Sequence, residues 1–412
     1  MKGFSHPKGY YSLFTILTLE RFSYYGMRTL LLMYMFTMLK LEKAYVDSFY
    51  WWFVNALMVA PVIGGIISDR MLGAKRSLVL ACLSIAAADV VMLLSSISSS
   101  TIIFYTTFAL LIIGGGLFRP SYYTMLGNLY EDRNDAHRDS GFTFTFLGTN
   151  IAALFSSLVC ISIAHSVGYW LGFIVVGVSA FIAMLLSSKL KEAASNSSPV
   201  AVPVENRHKI YALLVISIFV LFFWSLLSQS SDAFNFVFIN FTSVVIAKPP
   251  FAQSMIFILG IVLTPIFTWY WVWSSDNGKV RSTLSKFMWG MILATVSFAI
   301  LYKLFLSYQK TGVVSLYLLI LSNIIFVSGE MFIGPIANSL VTRLAPARYT
   351  GTLIGVWILL TGIGSFIGAR FVPAYGESGR TVFIVPIIVA AGSVILIALL
   401  IRPLRKWMHG IN

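Results

Sequence analysis

From Tyr10 to Leu400 the sequence is a succession of apolar runs, each about 20 residues or longer and separated by short polar breaks. A hydrocarbon core of about 30 Å needs roughly that length of helix to cross it. Inside lipid a spanning segment has no water to satisfy its backbone, so runs of this kind must be helices. The composition agrees: 58% of residues are hydrophobic and only 11% charged, with a mean hydropathy of +0.86. The expectation is an all-α, multi-pass membrane protein. The runs predict helices over about 10–39, 46–68, 77–97, 101–126, 140–163, 165–187, 210–231 and 250–273, from about 284, from about 314, and over 350–374 and 380–402.

The formal charge of +14 raises the question of a nucleic-acid partner. The larger share of the lysines and arginines falls on one set of helix ends, which is the positive-inside pattern and predicts cytoplasmic N and C termini. The basic balance is therefore topology, and no nucleic acid is expected. Met1 to Lys8 is short, polar and basic and does not read as a cleavable leader. Cys82 and Cys160 fall in apolar helices and read as small core residues. His6, His137, His165, His208 and His409 lie in loops or at ends without ligand spacing, so neither metal nor cofactor is expected. Residues 188–209, rich in Ser, Ala, Pro and charge, form a linker. It divides the chain into 1–187 and 210–412, six spans on each side.

Against this background, charges inside the spans carry information. The first helix holds Glu20-Arg21-Phe22-Ser23-Tyr24-Tyr25-Gly26-Met27-Arg28. A charge at bilayer depth costs at least about 2.5–3.5 kcal/mol, so it requires partners and marks a pathway. Arg21 and Arg28 are two turns apart and share a face, and Glu20 and Tyr24 share a neighbouring one. Glu20 with Arg21 also fits an ion pair tying this helix to a neighbour, whereas Arg28 lacks a balancing charge and points to a cavity that receives an anion. Asp89 sits in the third helix, where a hydroxyl of the first or second helix is a structural partner for it. Asp232 is placed just past the end of the seventh. Either carboxylate is also a candidate proton carrier. In the fourth helix Gly114-Gly115-Gly116 and Pro120 loosen the chain around Arg119 and let neighbours approach bare backbone. Gly127 to Asp139 reads as a polar loop.

With these residues in view the chain resembles the proton-dependent oligopeptide transporter (POT) family of the major facilitator superfamily. The loop with Gly65, Asp69, Arg70, Gly73 and Arg76 is similar to the signature loop of that superfamily. The likeness is strongest over Glu20 to Arg28, Gly114 to Asn150 and Ser328 to Gly368. It implies the major facilitator fold, 12 transmembrane helices in two six-helix bundles. It implies that Arg28 receives a peptide's carboxylate, that Tyr24 and Tyr25 line the same pocket, and that Arg119 supplies the positive charge the family has as a lysine. It implies further that Asn150 and Glu330 face the amino end and that Trp224 and Gln229 flank the site. Three positions depart from the family. Its first helix 1 glutamate is Leu17 here, a helix 7 glutamate is Ser228, and a helix 8 asparagine is Ile256. Bacterial relatives also carry two additional helices between the halves, for which the linker has no room.

The expected function is thus secondary transport of di- or tripeptides, or of a peptide-like zwitterion, by a monomer in the bacterial inner membrane. The missing carboxylates leave Glu20 as the titratable group of the first helix. Arg21 beside it makes it a poor proton carrier, so coupling to protons is expected to be weak unless Asp89 or Asp232 takes it over. The alternative is a proton-independent facilitator or exporter of an amino-acid derivative, a carboxylate metabolite or a carboxylate siderophore. An integral-membrane enzyme would need a His/Asp or metal constellation, and the sequence offers none.

Overall fold

The computed structural model describes residues 6–98, 101–131, 133–191, 204–241, 250–279, 281–374 and 380–408. Its long helices are α1 (Tyr10–Thr37), α2 (Lys43–Ile67), α3 (Ala74–Ser98), α4 (Thr101–Leu129), α5 (Asp135–Ser166) and α6 (Tyr169–Lys189). They continue as α7 (Val204–Phe241), α8 (Pro250–Asp276), α9 (Thr283–Thr311), α10 (Leu316–Leu344), α11 (Thr350–Ala374) and α12 (Thr381–Trp407). A π-helical turn, Ser68–Leu72, continues α2, and a 3-10 turn, Ala347–Tyr349, leads into α11. Among the described residues 11 helices are long and apolar enough to cross a membrane. To these we add α1, whose 28 residues extend about 42 Å and whose three charges set it apart.

Several boundaries differ from the sequence reading, and those beside Asp139 and Asp232 came from letting charge end a helix. The polar stretch after Gly127 is mostly helical: α4 runs on to Leu129 and α5 begins at Asp135, so Arg138 and Asp139 are helix residues. Likewise α7 does not stop before Asp232 but continues to Phe241. From Asp232 to Phe241 the sequence holds no glycine or proline, so nothing there breaks the backbone ladder. The side chain of Asp232 lies outside the described residues, as does the linker over 192–203.

The packing divides the chain into two compact units. Unit 1 is Met1–Asn134, Thr145–Ala201 and Ala345–Leu359, and unit 2 is Asp135–Phe144, Val202–Leu344 and Leu360–Asn412. In unit 1, α3 packs on α4 and α6, α1 on α6, and α2 on α4. Its apolar centre is aromatic: Phe108 meets Phe49, Phe53 and Phe104 with ring centroids 4.5, 4.9 and 5.0 Å apart. Close approach rests on glycine. The backbones of Gly64 and Gly116 touch, so a side chain at Gly64 would strike the Gly116 carbonyl. Without a hydrophobic drive between helices in lipid, such small-residue contacts do much of the fastening. In unit 2, α9 packs on α10 and α12, and α7 on α12 and α10. There a side chain on Gly329 would come within 2.9 Å of the Gly290 carbonyl, which fixes α10 against α9 one residue before Glu330.

Candidate functional site

In unit 1 the charges of α1 sort themselves into a closed pair and an open cation. Arg21 turns back on its own neighbour: Nε donates to Glu20 Oε2 at 2.5 Å and Nη2 to Glu20 Oε1 at 2.6 Å. The pair is buried, 7% and 1% exposed, so desolvation is met by a bidentate fork. The Arg21 guanidinium also lies 4.6 Å from the centre of the Tyr24 ring. The ion pair therefore lies within α1 and is not the tie to a neighbouring helix that the sequence also allowed, although side chains of adjacent residues leave a helix roughly 100° apart. Long side chains span that angle easily.

Arg28 is different. It is half-buried, donates from Nε to the Tyr50 hydroxyl and lies 5.3 Å from the Tyr50 ring. Among the described residues no carboxylate pairs with it. It lines a pocket with Glu20 and Tyr24, whose other walls are the apolar side chains of α1, α2, α3 and α4. Tyr25 stacks edge-on against Tyr24, 5.2 Å between centroids. Arg119 on α4 is half-buried and forms no ion pair among the described residues, but it is not part of that lining. Asn150 on α5 donates to the Phe146 carbonyl at 2.8 Å. The structure thus brings Glu20, Tyr24 and Arg28 together and leaves Arg119 and Asn150 outside their pocket.

Asp89 is wholly buried in α3. Its Oδ2 accepts from Ser23 Oγ at 2.8 Å, while Oδ1 has no hydrogen-bond partner. The hydroxyl expected from a neighbouring helix is therefore that of α1. Gly177 of α6 packs closely on it: a Cβ there would lie 3.3 Å from the Cβ of Asp89.

The signature loop also lies in unit 1. Gly73 adopts φ 78, a left-handed conformation open to glycine. Asp69 accepts from the backbone N–H of Gly351 at 2.9 Å and from the N–H and hydroxyl of Thr352, each at 2.7 Å. It therefore caps α11, with its charge at the positive end of the helix dipole. Gly65 lies against the Gly351 backbone, where a Cβ would collide. Arg70 and Arg76 are exposed.

In unit 2, Gln229 is buried and donates to Ser225 Oγ at 3.1 Å. Trp224 and Glu330 are half-buried, and Glu330 has no hydrogen-bond or ion-pair partner among the described residues. Among the described residues no hydrogen bond or ion pair joins these three to one another.

Sequence reasoning missed the strongest polar cluster of unit 2, which centres on Asp139 at the start of α5. Lys286 of α9 binds its Oδ2 at 2.6 Å, and Ser339 of α10 donates to its Oδ1 at 2.6 Å. Arg343 stands 3.6 Å from Oδ1 and pairs with Asp135 at 2.7 Å. Around it Arg138 donates to Thr342 at 2.7 Å and Trp271 to Thr143 at 3.0 Å. The signal was the run Arg138-Asp139-Ser140-Gly141-Phe142, which reads as a helix start once the polar residues are not taken for a loop.

Spanning helices with an unbalanced cation held at depth define a polytopic membrane transport protein. The chain belongs to the Major Facilitator Superfamily, whose model matches residues 13–369. Among its relatives is the "Di-/tripeptide transporter" of Lactococcus lactis subsp. cremoris, 24% identical over 99% of this chain and 98% of that protein. That alignment runs over 495 residues against the 412 of this chain, so the relative carries residues that have no counterpart here. Two solved structures share the fold. A POT family transporter in complex with a thioalcohol-conjugated peptide has a TM-score of 0.70 at 20% identity, covering 98% of this chain and 97% of that one. A POT family transporter in complex with 5-aminolevulinic acid has a TM-score of 0.69 at 20% identity, covering 98% of each.

Proposed function

We propose that this protein is a secondary transporter of di- and tripeptides or of a peptide-like zwitterion. One observation carries the reading: Arg28, which has no carboxylate partner among the described residues, lines a pocket between α1, α2, α3 and α4, in a chain that aligns end to end with a di-/tripeptide transporter. A buried cation lacking its counter-ion is a site for an anion. Arg28 and Arg119 take the substrate's carboxylate, with Tyr24 and Tyr25 beside them. Glu330 and Asn150 take its amine, and Trp224 and Gln229 border that end. Residues 1–187 and 210–412 act as two six-helix halves of a monomer that works by alternating access about the loop carrying Gly65, Asp69, Arg70, Gly73 and Arg76. Glu330→Gln is expected to weaken substrates that bear an ammonium while sparing purely anionic ones; an equal loss of both in a binding titration would give Glu330 a structural task instead.

Arg21 occupies both oxygens of Glu20, so a proton reaches that carboxylate only by breaking the pair. Asp89 fits the task better. Its carboxylate is wholly buried with one donor among the described residues, and it can take a proton without breaking an ion pair. The experiment is uptake of labelled dipeptides into proteoliposomes with and without an inward proton gradient. Accumulation that needs the gradient and is lost in Asp89→Asn is the expected result. Accumulation lost in Glu20→Gln but kept in Asp89→Asn would return coupling to the α1 pair. The second reading, a proton-independent facilitator or exporter of an amino-acid derivative or other carboxylate compound, is favoured by that same closed Glu20–Arg21 pair. Equal uptake with and without the gradient supports it.

A further inference from the structure

We propose that unit 2 carries a binding site for an anionic phospholipid, formed where α8 ends, α9 begins and α12 ends. The sequence concentrates two residue types there. Five of the chain's ten tryptophans fall within residues 269–289 and 402–407. Five lysines and arginines fall there too, besides Lys286, which Asp139 neutralises. Asp276 is the one carboxylate of those two segments, and it forms no ion pair among the described residues.

The turn from α8 to α9 holds its cations in place. Gly278 turns the chain at φ 67. The Lys279 N–H then donates to the Ser274 carbonyl at 2.8 Å, and the Ser274 hydroxyl donates to the Lys279 carbonyl at 2.5 Å. Each cation of the turn lies over an indole. Lys279 Nζ is 5.5 Å from the centre of the Trp273 ring, and the Arg281 guanidinium is 5.2 Å from that of Trp289. Arg405 of α12 donates to Ser282 Oγ at 2.8 Å, next in the chain to Arg281. From Lys279 to Ser282 the backbone spans at most about 11 Å, so the three cations are anchored within short reach of one another. All three are exposed, as are Trp273 and Trp289. Trp269 extends the apolar side by stacking on Trp273, 5.8 Å between centroids. Indoles settle where hydrocarbon meets headgroups, so a cation laid on such a ring is held at the depth of the lipid phosphate. Topology alone asks for no rings: Arg70 and Arg76 are exposed as well and lie over none among the described residues. Charge complementarity selects a lipid of net negative headgroup over a zwitterionic one.

The test measures lipid binding to the full chain by native mass spectrometry in neutral detergent. The matched probes are dioleoyl phosphatidylglycerol and dioleoyl phosphatidylcholine. The wild type is expected to bind the glycerol lipid at least about tenfold tighter, since each cation near an anionic headgroup contributes about fivefold. The triple variant Lys279→Gln, Arg281→Gln, Arg405→Gln should bring the two lipids to equal affinity. Arg281→Gln alone should cost about fivefold and carries the test if the triple variant does not fold. Trp273→Leu with Trp289→Leu, which keeps every cation, should lower the preference severalfold. Arg70→Gln with Arg76→Gln should leave it intact. Equal affinities in the wild type, or a preference that survives the cation and tryptophan variants, overturns the site. An equal loss in the Arg70 and Arg76 variant also overturns it, because the attraction would then be that of net charge. Displacement of the glycerol lipid by millimolar inorganic phosphate would make the occupant a free anion and overturn the lipid.

Discussion

Arg28→Ala is expected to abolish substrate binding, with the dissociation constant rising by about two decades or more. Truncating one partner of a desolvated charge pair costs about 2–5 kcal/mol, because the partner left behind loses its hydrogen bonds as well as the charge. Tyr50, which already binds Arg28 Nε, holds the guanidinium in orientation and leaves its other nitrogens to a ligand. Arg28→Lys keeps the charge but loses the planar fork, so an intermediate loss of about a decade is expected. Masking the substrate's carboxylate as an amide should reproduce the alanine result. Isothermal titration of the three cases decides the point. Unchanged affinity in Arg28→Ala would remove this residue from the site and leave Arg119 as the cation to test. Arg21 is not expected to behave alike, since its loss would strip Glu20 of both its hydrogen bonds and act through folding.

The fold was legible because lipid narrows the choices so far. Apolar run length set the helices, and most boundaries lie within a few residues of the observed ones. Legibility failed where polarity was taken for irregular backbone. Asp139 looked like the end of a loop, yet it sits on α5 with its carboxylate wholly buried. Its three partners lie 147, 200 and 204 residues away (Lys286, Ser339 and Arg343), and no local pattern reports such a contact. The site was half legible. That Arg28 lacks a balancing charge on its own helix can be read directly, and among the described residues no carboxylate pairs with it. That Glu20 would spend both oxygens on its immediate neighbour could not be read, because helical phase places the two side chains apart and only rotamers bring them together. The pocket itself was hidden for another reason: it is assembled from α1, α2, α3 and α4, and no single helix's sequence shows which neighbours it will meet.

The other large effect is expected at Asp139. Asp139→Ala leaves Lys286, 3% exposed, as a buried ammonium facing Trp271 at 4.8 Å with no carboxylate beside it. Breaking a buried pair from one side costs about 3–5 kcal/mol, more than the pair itself contributes relative to an apolar replacement. The melting temperature of the detergent-purified protein should fall by roughly 3–6 °C. The converse provides the control: Asp139→Leu combined with Lys286→Met removes both charges and should recover most of that loss. Arg343→Met is expected to cost less, because Arg343 stands 3.6 Å from Asp139 and Lys286 remains in place at 2.6 Å. These ties join the first turns of α5 to α9 and α10, whereas residues 145–166 of the same helix pack in unit 1. A transporter that alternates between states cannot keep every such tie throughout its cycle. If Asp139→Ala melts like the wild type but transports more slowly, the cluster sets the balance between states and not the stability of the fold. If the double variant is as unstable as the single one, the loss belongs to the carboxylate's contact with Ser339 and the buried-charge argument fails.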